Sequence, residues 1–155
     1  MIRVVNVKEE DYAVMRKLAQ DNSPLDIHTQ YTYWVLTKVF SHSCFILYDE
    51  EEAIGYITSV YDEKRLLIWQ IAVSKLYRGN GYSQMLIDKV AKFAQNKQIN
   101  MTVTIAQDNK ASYNSFKKYC IDHTIKMYEV GEADLIDLND REFHENEIIY
   151  HMDFL

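Results

Sequence analysis

The runs Trp69-Gln70-Ile71-Ala72-Val73 and Arg78-Gly79-Asn80-Gly81-Tyr82-Ser83 decide the fold of this chain. The first predicts an apolar strand, and after the second the residues Leu86, Val90 and Phe93 recur at helical spacing. A glycine-rich turn between a strand and a helix points backbone N–H groups and the positive helix end at the same place. At either glycine, a side chain would block close backbone approach or forbid positive φ. The stretch is therefore predicted to bind a pyrophosphate.

Composition limits the classes of protein to which the chain can belong. The 155 residues, 48% hydrophobic with one proline, predict a single domain over residues 1–155. A net charge of −6 and a pI near 5.3 argue against nucleic-acid binding and favour a cationic small molecule. No apolar run approaches the length of a membrane span, so we expect no membrane association and a cytoplasmic protein. Cys44 and Cys120 are expected to be buried thiols.

Periodicity along the chain predicts an alternation of strands and helices. The acidic run 49–52 is predicted to be a solvated hairpin tip, and the apolar strand 66–73 a central strand buried on both faces. Ser23 is predicted to cap a helix that starts at Pro24, and Asp108 or Asn109 to cap a later one. The predicted strands cover 2–7, 44–48, 53–61, 66–73, 101–105 and 143–154, with helices at 9–20, after Pro24, after Gly81 and after Asn109. This order predicts an α/β or α+β domain with a mixed sheet.

Two motifs in the C-terminal half resemble those of the GCN5-related N-acetyltransferases, the GNAT superfamily. Arg78, Gly79, Gly81 and Ser83 fill the places of its acetyl-CoA signature, and Asn109-Lys110-Ala111-Ser112, leading to Phe116, resembles its second motif. The resemblance implies a mixed sheet of about six to seven strands, about four flanking helices, and acetyl-CoA as cosubstrate without a metal. The cofactor-binding residues that it implies are Ile71, Ala72, Val73, Arg78, Gly79, Asn80, Gly81, Tyr82, Ser83 and Asn109.

Four blocks spread over almost the whole chain resemble the L-2,4-diaminobutyrate acetyltransferases of ectoine biosynthesis. They are residues 25–33, residues 68–73, residues 103–105 with Asp108-Asn109, and His144-Glu145-Asn146-Glu147. This resemblance implies acetyl transfer to an amine of a small diamino acid, with a homodimer as one assembly state. Another amine, such as a polyamine, an amino sugar or another amino acid, is the alternative substrate. A CoA-binding sensor or interaction module is the alternative from another class.

The chemistry of a diamine acceptor makes acidic and aromatic side chains the candidates for its binding site. Two ammonium groups need acidic partners, one amine must lose its proton, and a flat indole attracts a cation. The predicted acceptor residues are Asp26, Tyr31, Trp69, Gln70 and Glu145, with Glu145 or Glu147 as base. The family's usual tyrosine acid is replaced by Phe116, so Tyr113, Tyr119 and water stay open as donors of a proton to the thiolate.

Each of these residues also has a purely structural explanation. Asp26 could stabilise a helix N-terminus, Trp69 and Tyr31 could be packing residues, and Glu145 and Glu147 could face solvent. A zinc helix is disfavoured because Ile148 replaces the second histidine of the motif that His144 begins. A Cys–His hydrolase is disfavoured because neither cysteine has an elbow-like glycine context.

Overall fold

The computed structural model describes residues 1–22, 27–133 and 147–154. Seven strands in these residues form one sheet, and four α-helices pack against it. The strands are β1 (Ile2–Asn6), β2 (Phe45–Asp49), β3 (Glu52–Tyr61), β4 (Arg65–Val73), β5 (Asn100–Ala106), β6 (Lys126–Ala133) and β7 (Glu147–Asp153). The helices are α1 (Tyr12–Asp21), α2 (Gln30–Val39), α3 (Tyr82–Asn96) and α4 (Lys110–Asp122).

The sheet has the strand order β1-β2-β3-β4-β5-β7-β6. Only β4 and β5 run parallel, because α3 connects them as a crossover, and the other neighbours are antiparallel. The predicted mixed sheet and the hairpin between β2 and β3 are therefore confirmed.

The two faces of the sheet carry different cores. On one face α3 and α4 bury Leu86, Val90 and Phe116 against β4 and β5. On the other face α1 and α2 bury Met15 and Tyr33 against β2 and β3. The alternating burial of β5 was predicted correctly, and it directs Met101, Val103 and Ile105 towards α3 and α4.

Two of the predictions about secondary structure need correction, and one strand was not predicted. The helix that carries Tyr33 begins at Gln30, where the Thr29 side chain accepts a hydrogen bond from the Thr32 N–H, and not at Pro24. The predicted start, residues 23–26, lies outside the described residues. Strand β4 is not buried on both faces, because Trp69 is 44% exposed. Strand β6 was not predicted, because polar residues and a glycine inside a segment weaken the sequence pattern of a strand. These residues, with Gly131 among them, suit the sheet edge where β6 lies.

Candidate active site

The glycine-rich turn joins the end of β4 to the start of α3. Gly79 has φ +82° and Gly81, the N-cap of α3, has φ +77°, so both adopt a conformation that favours glycine. A Cβ built at either position would meet no protein atom within 4 Å. The first N–H groups of a helix have no acceptor within that helix, so those that begin α3 are available to an anion in this open space.

Side chains within the turn hold its shape. The Arg78 Nε–H donates to the Val73 carbonyl at 3.2 Å, and the Asn80 amide donates to the Tyr77 carbonyl at 3.0 Å. Gly55 on β3 lies against the end of β4, where a Cβ would stand 2.7 Å from the Ala72 carbonyl oxygen. A glycine at position 55 therefore lets β3 run close to the strand that leads into the turn.

Strands β4 and β5 separate beside this turn. They pair only from Arg65 opposite Asn100 to Ile68 opposite Val103. Beyond these residues β4 stays paired with β3 on its other side, and β5 stays paired with β7. The main-chain groups of residues 69–73 that face β5 consequently lie outside the pairing of the sheet, and the gap ends at the turn.

A β-bulge shapes the wall of the gap. Thr58 on β3 pairs with Gln70 while the next residue, Ser59, pairs with Ile68, so Trp69 is the extra residue on β4. The bulge brings Trp69 and Gln70 to the side of the sheet on which α2 lies. The Trp69 Nε1–H donates to His28 Nε2 at 3.1 Å, and His28 immediately precedes the Thr29 cap of α2.

Gln70 lies in a buried cluster of hydroxyl groups. Its Oε1 accepts hydrogen bonds from the Tyr56 hydroxyl at 2.6 Å and the Tyr33 hydroxyl at 3.0 Å. Both tyrosines are fully buried, and burial raises the pKa of Tyr56 far above its usual range. Tyr56 therefore stays protonated and acts as a donor that orients the Gln70 amide.

Polar residues of β5 and β7 lie across the gap. The Thr104 hydroxyl donates to Glu147 Oε2 at 2.8 Å. Thr104 alternates with the buried Val103 and Ile105, so it and Glu147 lie on the sheet face that Trp69 also occupies. On the opposite face the rings of Tyr113 and Tyr150 approach to 5.4 Å between centroids. Burial, with smaller contributions from Tyr113 and Glu129, raises the pKa of Tyr150.

The part of the chain that contains this turn and gap matches a known protein family. The model of the Acetyltransferase (GNAT) family matches residues 11–120, most of the chain. The chain belongs to the GNAT family. Its turn at Gly79–Gly81 and the gap between β4 and β5 both lie within the matched residues.

Two curated relatives of this GNAT protein carry the same description. The L-2,4-diaminobutyric acid acetyltransferase of Shouchella clausii is 35% identical over 118 residues, which are 74% of this chain and 66% of that protein. The protein of the same name from Streptomyces anulatus is 28% identical and aligns over 92% of this chain and 84% of its own length.

A solved structure with the same fold is the diaminobutyrate acetyltransferase EctA from Paenibacillus lautus, in complex with L-2,4-diaminobutyric acid and coenzyme A. It superposes with a TM-score of 0.88 at 22% sequence identity, covering 99% of this chain and 95% of that one. The predicted GNAT fold is thereby confirmed.

The predicted acceptor residues fall into three groups in this GNAT structure. Trp69 and Gln70 lie together at the bulge, as described above. Tyr31 is 72% exposed and stacks on Trp34, and the hydroxyl that reaches Gln70 belongs to Tyr33. Asp26 and Glu145 lie outside the described residues. Their roles, like that of Tyr31, stay predictions.

The candidate proton donors lie in different parts of the structure. Phe116 is buried in the core. The Tyr119 hydroxyl donates to Asp88 at 2.7 Å, and burial followed by that hydrogen bond raises the Tyr119 pKa, so this hydroxyl serves the contact between α3 and α4. Tyr113 lies beside Tyr150 at the start of α4, and its role as proton donor to the thiolate stays a prediction. Asn109 caps α4 by accepting from the Ser112 N–H at 3.1 Å.

The cysteines take no part in the site. Both are buried, and burial raises the pKa of Cys44 to about 12 and that of Cys120 to about 11. Neither thiol is ionised at neutral pH, which removes the chemical basis of a cysteine nucleophile. Among the described residues, no group of three or more His, Cys, Asp and Glu side chains could hold a metal ion, and no helix is long and apolar enough to cross a bilayer.

Sequence reasoning missed His28, Tyr33, Tyr56 and Gly55 as parts of this site. An aromatic residue in an apolar helix or strand is normally explained by packing, so neither tyrosine gave a signal of its own. The glycine at position 55, inside a predicted strand, was the available signal, because a glycine there often marks close backbone approach.

Proposed function

We propose that this GNAT protein transfers the acetyl group of acetyl-CoA to an amine of L-2,4-diaminobutyrate, the acetylation step of ectoine synthesis. The observation that carries the proposal is the separation of β4 from β5 beside a positive-φ turn at the start of α3. The substrate rests on the relatives, whose shared description is diaminobutyrate acetyltransferase. We further place the reaction in the cytoplasm.

The residues of the turn and gap fit coenzyme A. The N–H groups that begin α3, with Gly79 and Gly81, would hold its pyrophosphate, and Arg78 adds a positive charge at the same place. The main-chain groups of Ile71 to Val73 that face β5 would hold the extended pantetheine arm. When bound, acetyl-CoA supplies an activated thioester carbonyl.

The chain's own groups then have three tasks in acetyl transfer. The amine nitrogen must be neutral to form a bond to the carbonyl carbon, so a base must take its proton, and Glu147 is a carboxylate on the Trp69 face that lies beside the gap. Backbone N–H groups of β4 in the gap would stabilise the oxyanion. As the carbon–sulfur bond breaks, the thiolate takes a proton, and Tyr113 is the candidate donor on the other face.

The acceptor site follows from the bulge. Trp69 presents an indole that is 44% exposed, and the hydrogen bond to His28 fixes its plane. A flat indole face attracts an ammonium group, and the negative charge of Glu147 favours the same ligand. Asp26 and Glu145 are proposed as further partners of the two ammonium groups of diaminobutyrate. The homodimer, which was named only as one assembly state, is untested, and the absence of nucleic-acid binding stays a prediction.

Steady-state release of CoA with a panel of amines tests the proposal. We expect diaminobutyrate to have the highest kcat/KM, above the polyamine, amino sugar and other amino acid in the panel. Higher kcat/KM with another amine would overturn the substrate and keep the acetyltransferase. Tight acetyl-CoA binding with no accepted amine would favour a CoA-binding sensor.

A further inference from the structure

A second cavity lies at the end of the sheet that is farthest from the glycine turn. It has a volume of about 570 Å³ and is open to solvent. Strand β3 ends with Tyr61 at this end of the sheet, whereas Gly55, near the start of β3, pairs with Val73 beside the turn. Helix α3 likewise runs from Gly81 to this cavity, so Lys89 and Lys97 are roughly 12 and 24 Å from Gly81 along the helix axis.

The lining of this cavity is basic although the protein is acidic. The chain has 23 acidic against 17 basic residues, yet three lysines and no acidic residue line the cavity in the described part of the chain. Lys89 and Lys92 lie one turn apart on α3, and Lys97 immediately follows Asn96, the last residue of that helix. Asn6, His42 and Asn96 complete the polar part of the wall.

Ordinary structural roles explain only part of this lysine cluster. Favourable interaction with the helix dipole is confined to the last turn, which reaches Lys97 but neither Lys89 nor Lys92. Lys92 is paired with Asp88 at 2.7 Å. Among the described residues no carboxylate lies within 4 Å of the ammonium group of Lys89 or of Lys97.

The remaining wall of the cavity is aromatic. Phe45, Tyr61 and Phe93 line it, and the rings of Tyr61 and Phe93 meet edge to face at 5.1 Å between centroids. The Lys97 ammonium lies 5.7 Å from the centroid of each of these two rings. A ligand whose ring packs against Tyr61 and Phe93 would therefore present an attached anionic group to the lysines.

We propose that this cavity binds a small anion, a phosphate or carboxylate attached to a planar ring. The volume lies in the range of small-molecule sites, and the ammonium groups of Lys89 and Lys97 beside half-buried aromatic rings match both parts of such a ligand. The site is separate from the glycine turn and uses none of the residues assigned to acetyl transfer.

Phenyl phosphate is the probe, titrated into protein saturated with CoA so that the glycine turn is already occupied. We expect saturable shifts of the amide NMR signals of residues 89–97. Inorganic phosphate should bind more weakly because it lacks the ring. The double variant Lys89→Gln/Lys97→Gln should weaken binding of phenyl phosphate about tenfold, since two charge contacts are lost.

Lys118→Gln is the control, because it removes one positive charge by the same substitution at an exposed position on α4, which does not line the cavity. It should bind phenyl phosphate as the parent protein does, and both variants should keep the parent melting temperature and rate of acetyl transfer. The proposal would be overturned if residues 89–97 gave no shifts, if the double variant bound the probe unchanged, or if inorganic phosphate bound as tightly as phenyl phosphate.

Discussion

At the scale of single residues, the Gln70 side chain depends on two hydroxyl groups from other elements. Tyr33 comes from α2 and Tyr56 from β3, and both donate to the same amide oxygen. With that oxygen engaged, the orientation of the amide is fixed next to Trp69. Positions 33, 56 and 70 are far apart in sequence, and only the pairing of β3 with β4 brings two of them together, so no local pattern could have predicted the cluster.

Replacing Tyr56 with Phe removes one of these donors and keeps the ring. We expect an unfolding free energy lower by about 1 kcal/mol, because a buried hydrogen bond is lost. The KM for the amine should rise while the affinity for acetyl-CoA stays the same, since Gln70 faces α2 and not the glycine turn. Urea unfolding and steady-state kinetics measure both effects.

Tyr12→Phe is the control for this prediction, because it removes the same atom from α1, outside the cluster. An equal rise in the amine KM for both variants would contradict the role of Tyr56. A parallel loss of acetyl-CoA affinity in Tyr56→Phe would indicate general damage to the site.

Trp69 can be tested by removing the indole and then by removing its N–H alone. Trp69→Ala should raise the amine KM about tenfold, because the cation–π surface is lost, with much less effect on acetyl-CoA binding. Trp69→Phe keeps an aromatic face but not the donor to His28, and we expect an intermediate KM. Calorimetry with acetyl-CoA accompanies the kinetics, and equal losses of both ligands would argue against an acceptor wall.

At the scale of elements, the turn before α3 was the best-predicted feature, because its determinants are neighbours in sequence. Two glycines, a preceding apolar strand and a following helical stripe are local properties, and the structure gives both glycines positive φ. The start of α2 was mispredicted for a related reason. Ser23 and Pro24 are strong local helix-start residues, yet Thr29 caps the helix six residues after Ser23.

Gly81→Ala tests whether the turn binds the cosubstrate. A non-glycine residue in the left-handed conformation costs about 1–2 kcal/mol, and the new methyl would project into the open space beside the N–H groups of α3. We expect a lower melting temperature and a strongly reduced affinity for acetyl-CoA, measured by calorimetry.

Gly131→Ala is the control that distinguishes the loss of stability from the loss of affinity for acetyl-CoA. Gly131 also has positive φ and open space at its Cβ position, but it lies on β6 at the sheet edge. It should lose stability and keep acetyl-CoA affinity. If Gly81→Ala also bound acetyl-CoA with unchanged affinity, the turn would not be the pyrophosphate site.

At the scale of the whole molecule, a side-chain network ties four strands together at the closed end of the gap. The Arg65 Nε–H on β4 donates a hydrogen bond to the Thr102 hydroxyl on β5 at 2.8 Å, and the Arg65 guanidinium forms an ion pair with Asp153 on β7 at 2.7 Å. Tyr128 on β6 donates to the same carboxylate at 2.7 Å. The network lies where β4 and β5 are still paired, so it fastens the two halves of the sheet just before they separate.

This network should make stability depend on pH. Burial raises the pKa of Asp153, but the hydrogen bond from Tyr128 and the Arg65 guanidinium together outweigh it and hold that pKa below its ordinary 3.8. A carboxylate with a lowered pKa in the fold stabilises it above 3.8, and this contribution is lost as the pH falls through the folded-state value. Denaturant unfolding of Asp153→Asn should therefore show a smaller loss of stability on acidification than the parent protein shows.

Asp122→Asn is the reference variant for the pH experiment. Its partner Lys118 is on the same helix and both side chains are exposed, so the substitution should leave the acid loss of stability almost unchanged. An Asp153→Asn curve parallel to the parent curve would contradict the linkage.

The sequence predicted the fold better than the acceptor site for a physical reason. The order of elements and the burial of β5 follow from periodicity, and the GNAT signature is a contiguous motif. Residues of the acceptor site come from separate elements, and the bulge at Trp69 depends on how β3 and β4 align. Trp69 could be chosen by resemblance, whereas its hydrogen bond to His28 required the structure.

The separation of β4 from β5 has a consequence for handling the protein. Two inner strands of a sheet present main-chain donors and acceptors as if they were edge strands, and such edges recruit extended peptides from other chains. Coenzyme A would cover these groups, whereas protein purified without it offers a template for aggregation. Turbidity on storage should consequently be lower when the buffer contains the coenzyme.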